Sequence, residues 1–260
     1  MPYDRILDLM SVPGSSRIFV LGAYARRVTI YSQQVRAVNL VDAIQHYGFG
    51  LCGRQVAIVG GGAGGLTAAA RALVYGGNVT VFEQSASLLS VQSEASHRWV
   101  HPHLYEWPVE LIDGQLPDNA GLPVLDWSAQ NADDLAKHLR TEWAAVARKF
   151  GEAVDERRYT AVTKLKSQAD GVLVTSKEAK KPLPDEQKFD LVILAVGYGL
   201  ESDDLRQHSY WQPDGLAWAA KKEEQRLLIA GYGDGALTDL ISSVLPTSIM
   251  QRSSKMLLRP

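Results

Sequence analysis

The stretch QVAIVGGGAGGLTAAARALVYGGNVTVFEQ, residues 55–84, decides how this chain folds. Its first five residues form a short β-branched run suited to a parallel strand buried on both faces. Glycines follow at 60, 61, 62, 64 and 65, and then an alanine-rich helix. Residues 78–83, NVTVFE, supply a second strand, so about thirty residues complete one βαβ unit. Gly60, Gly62 and Gly65 satisfy the spacing GxGxxG, with Ala63 and Gly64 between them. Gly60 lets the chain turn tightly out of the strand. Gly62 lacks the Cβ that would block a pyrophosphate, and Gly65 lets the helix lie close on the sheet. The start of that helix offers unpaired N–H groups and partial positive charge to an anion.

A bare glycine pattern is weak, but here it has its strand, its helix and an acid in the expected place. Glu83, followed by Gln84, ends the second strand, where a carboxylate accepts from a ribose hydroxyl pair. A carboxylate there repels a 2′-phosphate, which disfavours NADP. The bland alternative is a glycine-rich turn before a packed helix, with Glu83 merely solvated.

Working outward, residues 17–21, RIFVL, read as a short strand, preceded by a loop-like start with Pro13 and Gly14. A helix follows over residues 31–50, with Ser32 as N-cap, a stripe of Val35, Val38, Val41 and Ile44, and a stop at Gly48 and Gly50. Residues 85–126 carry scattered prolines and aromatics without a sustained period, as an ordered irregular excursion does. Residues 131–151 form a helix capped by Asn131 and stopped by Gly151, with Leu135, Leu139, Trp143, Val146 and Phe150 on one face. Alternating strands around 162–165 and 172–175, joined by a turn at 169–171, predict an antiparallel meander over about 159–188 with a charged tip. The run FDLVILAVG, residues 189–197, then reads as one buried strand. Residues 226–245 read as a further strand that turns into a helix.

Composition narrows the function classes. Of 260 residues, 46% are hydrophobic and 22% charged, and 27 basic against 29 acidic residues leave a formal charge of −2, so nothing electrostatic recommends nucleic acid or an anionic membrane. No eighteen-residue apolar run occurs, and Asp4, Arg5 and Asp8 interrupt any leader, which reads as cytoplasmic. Cys52 is the sole cysteine, so neither an internal disulfide nor a redox-active dithiol is available.

At this point the chain resembles the FAD-dependent oxidoreductases with the glutathione-reductase-type, two-dinucleotide-binding-domain fold. The residues that carry the resemblance are VAIVGGGAGGLTAAARALVYGGNVTVFE, FDLVILAVGYG and RLLIAGYGDGALTDL. It implies a Rossmann-like α/β FAD-binding domain over 55–260, with a parallel sheet and an inserted antiparallel β-meander. Residues 1–54 would be a strand and helix extension packed on that core. It further implies that Gly60, Gly62 and Gly65 bind the FAD pyrophosphate and Glu83 the adenosine ribose. Val162 would meet adenine through its backbone, Gly197 would form the turn that in relatives follows Ala-Thr, and Asp234 after Gly233 would approach the ribityl chain or the pyrophosphate. Two departures stand out. Val196 occupies the usual threonine position, and thirty-six residues between Gly197 and Gly233 are too few for an inserted NAD(P)H domain.

The segment SHRWVHPHLYEWP, residues 96–108, concentrates His97, Arg98, Trp99, His101, His103, Tyr105, Glu106 and Trp107. Pro102 breaks the helix that would present His97 and His101 jointly to a metal, so no metal is expected. Two readings stay open: a flavin-side segment in which Arg98 or a histidine stabilises a reduced flavin, or a packed loop. His97, His101 and His103 are the candidate bases, because imidazole titrates near neutrality. His46 and His138 read as surface residues, and His208 has no assignment. Arg26, Arg27, Gln33, Gln34 and Arg36 form a second polar group that fits FAD phosphates, the lining of a substrate opening or a solvated helix face.

The leading expectation is therefore an FAD flavoprotein oxidising or reducing a small organic substrate, with NAD(H) as a less favoured occupant or a diffusing reductant. Its rival is a non-catalytic nucleotide-binding module, or the front portion of a larger flavoenzyme, working with a partner protein or as a homo-oligomer.

Overall fold

The computed structural model describes residues 3–22, 28–103 and 117–197, together with Trp211 and Leu240. The strand and helix expected over 226–245, with Gly233 and Asp234, lie outside the described residues, as do Arg26, Arg27, Tyr105, Glu106, Trp107 and His208.

Five strands build one parallel sheet: β1 (Ile18–Val20), β2 (Gln55–Val59), β3 (Asn78–Phe82), β6 (Val154–Arg157) and β10 (Leu191–Leu194), in the order β1-β10-β2-β3-β6. Every pairing is parallel, with Ile18 opposite Val192, Leu191 opposite Val56, Gln55 opposite Asn78 and Val79 opposite Val154. All five carboxyl ends therefore open on one edge. A two-residue ladder, β4 (Trp99–Val100) with β5 (Gln130–Asn131), pins the end of the excursion to the start of a helix.

Both faces of the sheet are covered, which explains the unbroken apolar runs. On one face lie α2 (Ile30–Tyr47), α3 (Ala63–Val74) and α4 (Ala132–Phe150). Val56, Ile58, Val79, Val81, Leu191 and Ile193 point into that core, against Leu40, Ile44, Leu66, Leu73 and Leu139. The alternate residues Ala57, Val59, Phe82 and Val192 pack with Val172, Val174 and Phe189 of the meander. That meander comprises β7 (Thr160–Gln168), β8 (Gly171–Glu178) and β9 (Asp185–Phe189), all antiparallel. Phe82 and Phe189 meet edge to face at 5.9 Å across this second core.

Four local expectations need correction. The start of the chain is not a loop: α1 (Tyr3–Met10) precedes β1 and adds Ile6 to the core. The N-cap of α2 is Thr29, whose hydroxyl accepts from the Ser32 N–H while the Ser32 hydroxyl accepts from the Thr29 N–H. Ser32 is thus the N3 partner in a capping box, its hydroxyl standing where a Glu or Gln side chain more often reaches back. The run FDLVILAVG is two strands, because Asp190 turns its carboxylate onto the Gln55 N–H at 2.8 Å and Arg54 at 3.1 Å, which hands the chain from β9 to β10. Finally, β6 gave no sequence signal. Its residues VDER are mostly charged, and it forms as an edge strand held by Val79–Phe82.

The remaining elements fall where the sequence places them. Asn131 caps α4 by accepting from the Asp134 N–H, and Gly151, at φ +52°, ends it. Leu135, Leu139 and Trp143 are buried beneath it.

Candidate dinucleotide site

At the carboxyl edge, β2 runs directly into the fingerprint, and each glycine answers to a different constraint. Gly60 has φ +112°, and a Cβ there would lie 2.4 Å from the Ala195 carbonyl oxygen. A Cβ at Gly65 would lie 2.0 Å from the Gly60 carbonyl oxygen, so the helix start touches the strand end through bare backbone. Gly61 is closed over by Leu88, and its carbonyl accepts from the Leu89 N–H. Gly62 is different. A Cβ there would meet no atom of the described residues within 4 Å, and its extended backbone, φ −79° and ψ 179°, suits any residue. None of the described residues requires glycine at 62, so the space beside it is a cradle that a side chain would fill. The helix α3 begins there without a side-chain cap, which leaves its first amide groups for an anion.

Glu83 lies across from these glycines, 9% exposed. One carboxylate oxygen accepts from the Gly61 N–H at 2.8 Å and the other from the Ser85 N–H at 2.7 Å. Each oxygen has a second lone pair, so the anchored carboxylate retains acceptor capacity for a ribose diol. Gln84 beside it is exposed. The Glu83 carbonyl accepts from Thr160 N–H at the start of the meander, and Ser85 accepts from Tyr159 N–H. Val162 sits two residues further along β7 and packs on the second core, next to a bulge between Val162 and Lys164. The turn after β10 closes the other side. Ala195 contacts both Gly60 and Gly65, Val196 is exposed, and Gly197 has φ +64°.

The histidine segment is brought together in part. His101 and His103 lie with ring centroids 6.2 Å apart, and His103 meets the Tyr31 ring of α2 edge to face at 4.8 Å. The His103 N–H donates to His101 Nδ1 at 3.1 Å, so the neutral ring carries its proton on Nε2. That Nε2 stands 3.9 Å from Asp118 Oδ1. Burial first, and then the neighbouring His103, hold the His101 pKa below the usual imidazole range, with Asp118 opposing. His101 is therefore arranged as a neutral donor through Nε2. Arg98 is buried at 3% exposure, and its carbonyl accepts from Ala132 N–H at the start of α4. His97 is half-buried.

Gln34 lies in the middle of the polar group read from the sequence, yet it is structural. Its amide donates to Thr67 Oγ1 and the Leu125 carbonyl, and its oxygen accepts from Trp127 Nε1. Sequence reasoning missed Ala195 and Ser85, because neither residue type signals a site and each acts through backbone or contact alone.

A parallel sheet that presents a glycine cradle, a helix start and an anchored carboxylate at its carboxyl edge defines a dinucleotide-binding α/β protein. Residues 55–159 match the family described as FAD dependent oxidoreductase. Over this stretch the chain is similar to that family, whose cofactor is FAD. The open cradle at Gly62 and the spare acceptor capacity of Glu83 fit its pyrophosphate and adenosine ribose.

Among solved structures, the chain is similar to a pyridine nucleotide-disulfide family oxidoreductase from Enterococcus faecalis (18% identity, TM-score 0.32, covering 55% of this chain and 22% of that one). Thioredoxin reductase of T. acidophilum gives 15% identity and a TM-score of 0.34, over 59% of this chain and 33% of that one. The covalent putidaredoxin reductase–putidaredoxin complex gives 17% identity and a TM-score of 0.34, over 65% and 31%. The chain thus spans 22% to 33% of the length of these proteins. No curated protein matches it. No helix among the described residues is long and apolar enough to cross a membrane.

Proposed function

We propose that the chain works as an FAD-dependent oxidoreductase on a small organic substrate or a partner protein. The observation that supports this reading is the space at Gly62, which the described residues leave open although none of them needs glycine there. The bound cofactor supplies electron and hydride transfer, and the protein supplies binding, orientation and electrostatics. The α3 start and Gly62 hold the pyrophosphate, while Glu83 orients the adenosine end. Gly233 and Asp234 are proposed on the resemblance alone to face the ribityl chain, and Val162 to face adenine. Of the histidines, His101 is assigned the role of a neutral donor through Nε2, in keeping with its locked Nδ1. His97 and His103 are retained as proton-handling candidates.

The test is a titration of the apoprotein with FAD and with NAD(H), followed by the visible spectrum and anaerobic reduction of the bound flavin. FAD is expected to bind far more tightly than NAD(H), and the bound flavin to be reduced by NADH or a small organic donor. A chain that takes up no FAD would overturn the reading. A bound flavin inert to every donor and acceptor would favour a nucleotide-binding module instead.

A further inference from the structure

The sheet position beside β10 is held by β1, whose chain leaves the sheet on the same edge as the fingerprint. Val20 lies opposite Leu194, and the Leu21 N–H donates to the Leu194 carbonyl at 2.8 Å. Gly22 follows at φ +82°, and α2 begins a few residues later. Strand β1 therefore runs parallel to β2, and the start of α2 lies beside the start of α3.

Gln33, in the first turn of α2, joins the two units. A Cβ at Gly64 would lie 3.4 Å from Gln33 Cβ, and one at Gly22 would lie 2.7 Å from Gln33 Oε1 and 2.9 Å from Nε2. Gln33 thus sets its Cβ against the start of α3 and its carboxamide against Gly22. Its Nε2 is buried and has no acceptor among the described residues. A buried donor in that condition is costly unless something absent from the bare chain accepts from it. Arg36, on the same helix face at i+3, likewise has a buried Nη1 without an acceptor among the described residues. Gln34, next to Gln33 in sequence, is fully bonded, so the contrast is specific to this side of the helix.

The direction of the cofactor follows from the strand order. Glu83 ends β3, on one side of β2, whereas Gly197 and Gly22 follow β10 and β1 on the other. A dinucleotide with its adenosine at Glu83 and its pyrophosphate over Gly62 must lead its flavin half across β10 toward β1.

We propose that Gln33 is a cofactor-binding residue, its amide donating to the phosphate on the flavin side of the FAD pyrophosphate, so that the β1-α2 unit forms one wall of the site. This rests on FAD being the cofactor. The test is flavin-fluorescence titration of the full-length apoprotein and of its Gln33→Leu and Gln33→Glu variants, with AMP binding and apoprotein melting measured alongside. Leucine should raise the Kd for FAD about tenfold or more, the size expected for a hydrogen bond to a charged group, and glutamate should raise it further by repelling the phosphate. AMP affinity and apoprotein melting should stay put in both. FAD binding within twofold of the wild type in both variants would overturn the proposal, and so would an equal loss of AMP and FAD or a fall in melting temperature that accounts for the loss. If the wild-type chain itself binds no FAD, the cofactor reading fails, a result distinct from any of these.

Discussion

Replacing Gly62 by aspartate separates what the fold needs from what the cofactor needs. Gly62 is the N-cap of α3, in the extended conformation N-caps adopt, and it has no side-chain cap bond. Aspartate is among the preferred residues there, and its carboxylate also suits the helix dipole, so the apoprotein should gain about 0.5–1 kcal/mol. For a chain of this size that is a rise in melting temperature of about 1–4 °C. No atom of the described residues lies within 4 Å of the new Cβ, so none of them sets a steric cost against the gain. Cofactor binding goes the other way. A carboxylate about 4 Å from a phosphate, at an effective dielectric near 20, is repelled by about 4 kcal/mol. That corresponds to a roughly thousandfold weaker Kd, before counting the volume the side chain takes from the cradle. The assay pairs calorimetric melting of the apoprotein with FAD titration. FAD affinity within threefold of the wild type would refute the placement of the pyrophosphate. A marked loss of apoprotein stability would refute the claim that the fold tolerates a side chain at 62.

Gly65→Ala should behave in the opposite sense: its Cβ would collide with the Gly60 carbonyl, and denaturant unfolding of the apoprotein should show a loss of about 3 kcal/mol. Glu83→Ala leaves the Gly61 and Ser85 N–H groups without their carboxylate acceptor, and the apoprotein should lose about 2 kcal/mol or more by the same measurement, along with weaker FAD binding. His101 gives a pH prediction. Its pKa is depressed in the folded state, so its contribution to stability is present above the unfolded value near 6.5 and is lost as pH falls below it. Melting temperatures at pH 7.5 and 5.5 should therefore converge in His101→Gln relative to the wild type, and an unchanged difference would remove His101 as the cause.

Much of this architecture was legible because local sequence and tertiary demand agree. The βαβ unit is written in a β-branched run, a glycine turn, an alanine helix and an acid. The α4 caps are written as Asn131 and Gly151, and the meander as alternation around Asp170-Gly171. Elements escaped where stability comes from neighbours. VDER becomes strand β6 only because β3 offers it a ladder, and Asp190 divides an apolar run only because Gln55 and Arg54 wait for its carboxylate.

The sequence by itself determined that a glycine turn would follow β2 and a carboxylate end β3, since glycine spacing and an acid after a strand are properties of the local chain. Only the tertiary structure decided which of those glycines pack against neighbouring backbone and which stands clear of the described residues. It also set Gln33 against Gly22 and Gly64 and Gln34 in the core, because two adjacent residues on a helix face different neighbours and the sequence does not say which neighbours those will be.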